Sequence, residues 1–180
     1  MKPETERLSY ERITKHHAVE LRGELCDPRV YEHIDERKAP TPDELIQSFV
    51  RKELGVPSHR SAETWMDFAV RLKTIGKTIG RVEATVLETR AEVAYLFGYR
   101  HWGFGYAQEA VQWLQRLLAE EHAVHDLWAT VTPDNRLSIA LLERLGYVEV
   151  PQSRWPARLT SYNEGDCVFH LAGEQPGGVA

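Results

Sequence analysis

Residues 92–110 read EVAYLFGYRHWGFGYAQEA, and this stretch decides the fold. An apolar, strand-like run ends at Gly98, a short turn carries Arg100, Gly103 and Gly105, and a long amphipathic helix then begins. That layout aims several backbone N–H groups and a helix N-terminus at one spot, which suits a diphosphate. Glycine at 103 and 105 lets the backbone approach an anion with no Cβ in the way, and Arg100 can add positive charge. A glycine turn used only for packing has the same local pattern. Two nucleotide loops do not fit. A Walker loop ends in Gly-Lys-Ser/Thr, but Tyr106 and Ala107 follow Gly105; a dinucleotide fingerprint starting at Gly103 needs glycine where Gln108 stands.

Working outward, Leu8, Tyr10, Arg12 and Ile13 predict a first strand, and residues 15–25 a helix. Asp27-Pro28 breaks that helix, because the residue before proline avoids helical dihedrals. Residues 29–38 form a short helical turn or a loop. Thr41-Pro42-Asp43-Glu44 starts a second helix, running to about Leu54, with Thr41 as cap and Glu44 three residues on. Residues 64–73 and 79–87 read as strands joined by a turn at Gly76, Arg90-Ala91 as the next turn, and 92–97 as the third strand of an antiparallel set. Apolar residues at 107, 110, 111, 114, 117 and 118 predict a helix over 106–121. LWATVT, 127–132, is a buried strand, and Pro133-Asp134-Asn135 leads into a helix closed by Gly146. Residues 147–150 and 167–171 are final strands, with 155–159 an extension of the first. The order is β-α-α-β-β-β-α-β-α-β-β: an α/β (α+β mixed) fold with a mixed central sheet of about six to seven strands and helices on both faces. Residues 1–172 form one domain and 173–180 a flexible, glycine- and proline-rich tail.

Apolar residues make up 42% and charged residues 27%, so the chain can bury a core without staples. Net charge is −5 with both signs mixed, and without a basic block no nucleic-acid footprint is expected. The two cysteines, Cys26 and Cys167, make no disulfide framework and suit a reducing compartment. The charged start MKPETERLSY has no apolar signal region, and no run is long enough for a membrane span, so a cytoplasmic protein with no membrane partner is expected. His122 and His125 lack further ligands at recognisable spacing, so no metal is expected. His16-His17 reads as surface.

Residues 91–110 closely resemble the acetyl-CoA-binding motif of the GNAT N-acetyltransferases, whose turn reads Q/R-x-x-G-x-G/A. The wider resemblance is to the RimJ/RimL-like branch, which acetylates ribosomal-protein N-termini. Thr5-Glu6-Arg7-Leu8 resembles that branch's opening TERL, and Ile79-Gly80 its I-G at the third strand. Trp102-Gly103-x-Gly105-Tyr106-Ala107-x-Glu109-Ala110 resembles its W-G-x-G-Y-A-x-E-A. Asn135-x-x-Ser138 and Leu145-Gly146-Tyr147 resemble its N-x-x-S and closing L-G-F/Y. The resemblance runs nearly to Leu171 and implies the GNAT fold with acetyl-CoA as donor. It implies that main-chain groups of Leu96 and Phe97 pair with the pantetheine arm between splayed strands. Amides of His101, Trp102, Gly103, Phe104, Gly105 and Tyr106, at the helix entrance with Ala107, would cradle the diphosphate. Asn135 would contact the cofactor or hold the turn beside it, and Ser138 would sit near the sulfur.

The chemistry agrees with that placement. Transfer from a thioester to an amine needs a neutral amine, a stabilised oxyanion and a protonated leaving thiol. A backbone N–H near Phe97 can polarise the carbonyl. A thiol has a pKa of about 8.5, so a serine hydroxyl suffices as donor to the leaving sulfur. Many relatives carry a tyrosine acid where this chain has Leu142, which makes Ser138 the better candidate. Glu83 and Glu92 are candidate general bases, and strand alternation alone does not say which faces the cleft. Tyr31, His33, Arg37 and Trp155 are candidates for the acceptor pocket. The reading is direct acetyl transfer to a primary amine, on a protein N-terminus or a small molecule, with a homodimer compatible. The alternative is an acyl-CoA-binding regulatory domain with little catalysis.

Overall fold

The computed structural model describes residues 1–34 and 38–173. Arg37 and residues 174–180, and with them the expected tail, lie outside the described residues. The strands are β1 (Leu8–Arg12), β2 (Glu63–Leu72), β3 (Lys77–Leu87), β4 (Arg90–Phe97), β5 (Asp126–Val131), β6 (Val148–Glu149) and β7 (Cys167–Ala172). The helices are α1 (Lys15–Leu25), α2 (Pro42–Leu54), α3 (Tyr106–His122) and α4 (Arg136–Arg144). One seven-stranded sheet has the order β1-β2-β3-β4-β5-β7-β6. All neighbours are antiparallel except β4 and β5, which α3 joins as a crossover.

Local chemistry explains the element ends. Thr41 and Glu44 form a reciprocal capping box on α2, with Pro42 in its first turn. Thr14 does the same for α1 through His17, whose Nδ1 receives the Thr14 amide at 3.0 Å. His17 is therefore buried, not on the surface as the sequence suggested. Gly76 (φ 62°) turns β2 into β3, and Gly146 (φ 88°) follows α4. The β3–β4 turn lies at Glu88-Thr89, two residues earlier than expected, with Glu88 left-handed at φ 56°. The expected strand at 155–159 does not form. Pro151 and Pro156 offer no N–H to a ladder, and the chain makes a short 3-10 turn at Gln152–Arg154.

The sheet separates two apolar layers. On one face α1 and α2 bury Leu21, Leu25, Leu45 and Phe49 against Ala69. On the other, α3 buries Val111, Trp113, Leu114 and Leu118, joined by Leu142 of α4. Trp113 stacks on Tyr10 at 3.8 Å and meets Phe68 edge-on at 4.9 Å, fixing α3 across β1 and β2. The feature that positions the site is a split in this sheet. Parallel pairing of β4 with β5 covers only Arg90, Ala91 and Glu92 against Asp126, Leu127 and Trp128. Beyond Glu92 the two strands part.

Candidate active site

The strand–turn–helix unit opens where β4 and β5 diverge. Gly98 donates its amide to Ile79 at 2.9 Å, so β4 faces β3 at that residue. Main-chain groups alternate along an extended strand, so those of Leu96 also face β3, while Tyr95 and Phe97 face the gap. This corrects the expectation for Leu96, which contributes its side chain to the wall instead. Gly80 is the price of close strand approach: a Cβ there would lie 2.6 Å from both the Leu96 carbonyl and the Phe97 ring. The Phe97 carbonyl accepts the Trp102 indole N–H at 2.8 Å, tying strand to turn.

The turn itself is a 3-10 segment, Tyr99–His101, followed by two left-handed glycines, Gly103 (φ 79°) and Gly105 (φ 77°). Gly105 caps α3. The amides of His101 and Trp102 donate to Gly98 and Tyr99 within the 3-10 segment, so neither is available to a ligand. Among the described residues, no protein acceptor meets the amides of residues 103–108. The cradle therefore starts at Gly103 and runs through Phe104, Gly105, Tyr106 and Ala107 into the first turn of α3, two residues later than expected. Converging N–H groups at a helix start favour a diphosphate. Arg100 is exposed and lies outside the cavity lining; Arg144, on the last turn of α4, lines the cavity instead. Its signal was the spacing of Leu137, Ser138, Leu141 and Arg144 on one helical face. Phe104 stacks on Tyr106 at 5.9 Å and is mostly exposed.

The N-terminal arm braces this turn. Glu109 accepts from Thr5 Oγ1 (2.5 Å), the Arg7 amide (3.0 Å) and Arg7 Nε (2.6 Å), while Arg7 also donates to the Phe104 carbonyl at 2.8 Å. Burial pushes the Glu109 carboxyl up, but those donors outweigh it and hold it below the usual range. The Thr5-Glu6-Arg7-Leu8 segment and Glu109 are thus one structural unit. On the opposite side of the turn, His101 Nε2 approaches Glu24 Oε2 at 3.5 Å and makes no hydrogen bond among the described residues. His101 is also one of the residues lining the larger cavity.

Two cavities meet at the split. One, about 240 Å³, is lined by Gly103, Gly105, Tyr106, Gln108, Leu141 and Arg144. The other, about 170 Å³, is lined by Tyr31, Arg81, Glu83, Thr130, Ser161 and Asp166. Both include His33, Ile34, Tyr95, Leu96, Asn135 and Ser138, so chemistry between ligands in the two must pass these residues. Asn135 Oδ1 accepts the Ser138 amide at 3.1 Å, which makes N-x-x-S a helix cap that places Ser138 at the junction. Tyr95, a residue the sequence reading passed over, hydrogen-bonds the Ser138 carbonyl at 3.4 Å, and burial pushes its phenol up to about 12. Leu142 is 1% exposed in the core beside them.

The two carboxylates singled out from sequence are both committed to protein partners. Glu92 accepts from the amides of Thr160 (2.7 Å) and Ser161 (2.9 Å) and from Ser161 Oγ (2.7 Å). It anchors the 160–161 loop, whose Ser161 lines the second cavity, and itself lines neither cavity. Glu83 pairs with Arg81 and with Lys52 at 2.6 Å, and Lys52 also pairs with Asp67. Burial raises the Glu83 carboxyl, but Arg81 and Lys52 outweigh it and hold it well below the usual range. The buried Asp67 shifts upward, through desolvation and the Glu83 charge. A carboxylate held so far down is a poor proton acceptor near neutrality. Asp166 accepts the Asn163 amide at 3.0 Å on one oxygen, and its other oxygen is buried without a donor among the described residues. Trp155 stacks at a tilt on Tyr162, 4.9 Å away, outside both cavity linings.

Residues 7–148 match the family described as Acetyltransferase (GNAT) domain. The uncharacterized N-acetyltransferase p20 of Bacillus licheniformis is 34% identical over 83 residues, 44% of this chain and 47% of that protein. The chain spans less than half the length of the curated relatives it matches. Among solved structures, an acetyltransferase of the GNAT family from Bacillus anthracis superposes with a TM-score of 0.76 at 19% identity, covering 97% of this chain and 100% of that one. The ribosomal-protein-S5-alanine acetyltransferase of Vibrio fischeri gives 0.68 at 21% identity, covering 95% and 96%. At these identities the structures establish a shared fold.

Proposed function

The chain belongs to the acetyltransferase (GNAT) family, and on that premise we propose that it transfers an acetyl group from acetyl-CoA directly to a primary amine. One observation carries the reading: the unpaired amides of residues 103–108 stand at the mouth of the β4–β5 split, with Ser138 at its inner end. The diphosphate would rest on those amides, and the pantetheine arm would lie along the β4 edge at Tyr95 and Phe97. That edge offers N–H groups to the thioester oxygen as it gains charge. Ser138 would donate its hydroxyl to the departing sulfur. No step requires an acyl-enzyme, and the free cysteines, Cys26 and Cys167, line neither cavity.

The acceptor would enter from the second cavity, as a small amine or a peptide N-terminus. Placement in the RimJ/RimL-like branch is supported by the Thr5–Leu8, Gly103–Ala110 and Asn135–Ser138 motifs, which the Glu109 brace and the Asn135 cap explain physically. Calorimetry with acetyl-CoA, followed by mass spectrometry of amines and peptides acetylated in its presence, tests the proposal. Absence of binding at millimolar acetyl-CoA removes it. A second reading, a regulatory domain that binds acyl-CoA without turnover, is favoured by Leu142 at the usual tyrosine position; it predicts binding with no release of free thiol.

A further inference from the structure

We propose that His33 is the general base that deprotonates the acceptor amine. The inference rests on the acetyl-transfer reading above and extends it. A base for this step must reach the junction of the two cavities and carry an available lone pair. Four polar side chains among the described residues border both: His33, Tyr95, Asn135 and Ser138. Asn135 is occupied as a helix cap, and a buried phenol and a serine hydroxyl are donors near neutral pH. Glu83 and Glu92 are held by protein partners, and Asp166 lines the acceptor cavity alone.

The backbone of His33 is fixed for this task. Its carbonyl accepts the Thr132 hydroxyl at 2.5 Å, which pins the loop across the end of β5 where the sheet opens. Its imidazole makes no hydrogen bond or ion pair with any described residue. On the acceptor side it shares its cavity with Tyr31, Asp166 and the paired Arg81 and Glu83. On the cofactor side it shares one with His101 and Arg144, with Tyr95 between. An imidazole is the side chain whose unperturbed titration lies nearest neutrality.

The step balances as follows. The acceptor arrives as an ammonium ion, and an imidazole nitrogen takes one N–H proton. The freed lone pair forms the N–C bond to the thioester carbonyl. The C–S bond breaks with its electron pair on sulfur, the extra proton on nitrogen passes to sulfur, and the imidazolium returns its proton to water. Amide, free thiol and one proton result.

The test compares the wild type, His33→Gln and His33→Ala on two probes: alaninamide, protonated at pH 7, and 2,2,2-trifluoroethylamine, already neutral there. With alaninamide, kcat/KM should fall about 100-fold in both variants, and imidazole should partly restore His33→Ala. The acidic limb of the wild-type profile, over and above the limb that protonation of the amine itself imposes, should vanish. With trifluoroethylamine the variants should stay within about threefold of wild type. Acetyl-CoA affinity, read by calorimetry, should not change. Retention of the limb in His33→Gln, or an equal loss on both probes, overturns the proposal. If the variants do not fold, a wild-type profile without that additional limb overturns it alone. Failure of the acetyl-transfer reading is distinct: the wild type then binds no acetyl-CoA or acetylates neither probe.

Discussion

The cavity proposed for the diphosphate takes more than half of its lining from residues 95–108, whereas the cavity proposed for the acceptor brings together residues near positions 31, 81, 130 and 163. The first is local: two left-handed glycines and a helix start set its amides, and one carboxylate, Glu109, braces it from outside. The second depends on long-range ties. Glu92 holds the 160–161 loop, Thr132 holds His33, and Glu63 binds Arg158 at 2.9 Å. A side built from adjacent residues can be read as a motif; a side built from distant loops leaves no motif. The contrast predicts that damage to one side should be separable from damage to the other.

The largest expected effect is on the brace. Glu109→Ala leaves Arg7 and Thr5 without their shared acceptor and should cost about 3 kcal/mol in thermal or urea unfolding at pH 7. The folded carboxyl lies below its unfolded value, so this contribution is complete above about pH 4.3 and disappears as pH falls through the lower folded value. The gap between wild type and variant should therefore close in acid, and a gap that widens there contradicts the ion-pair account. Gly105→Val comes next. At φ 77° a β-branched residue is strained, the turn re-aims its amides, and acetyl-CoA affinity should drop about 100-fold by calorimetry. Unaltered affinity breaks the claim that the glycines shape the cradle.

Glu92→Ala probes the other side. Releasing the 160–161 loop should cost about 2 kcal/mol of stability and raise KM for the amine, with acetyl-CoA affinity unchanged. A loss of acetyl-CoA binding equal to the loss in amine KM denies that the two sides are separable. Ser138→Ala should lower kcat about tenfold at constant KM, because a thiolate already leaves well and a single donor adds little over 1.4 kcal/mol. The smallest effect belongs to a control far from both sides. Thr41→Ala removes the α2 cap and should cost about 1 kcal/mol without moving either constant.

Much of this architecture was legible in advance. The element order, the glycine turn and the α2 cap follow from period, breakers and capping pairs, all of which act within a few residues. The errors share a cause as well. Arg100 and the 101–102 amides were expected at the ligand because the motif contains them, but the 3-10 turn uses those amides and directs Arg100 outward. Glu83 and Glu92 were candidate bases; Glu83 does line the second cavity but is ion-paired there, and Glu92 lines neither cavity. Which donors would reach them from Lys52, Arg81, Thr160 and Ser161 depends on packing that no spacing encodes.

The sequence by itself determined the order of strands and helices and most of their ends, and that two glycines precede α3, because dihedral preference and apolar period are properties of neighbouring residues. Only the tertiary structure decided which amides stay unpaired, which carboxylates are neutralised and that His33 stands between two cavities, because those outcomes depend on atoms brought together from opposite ends of the chain.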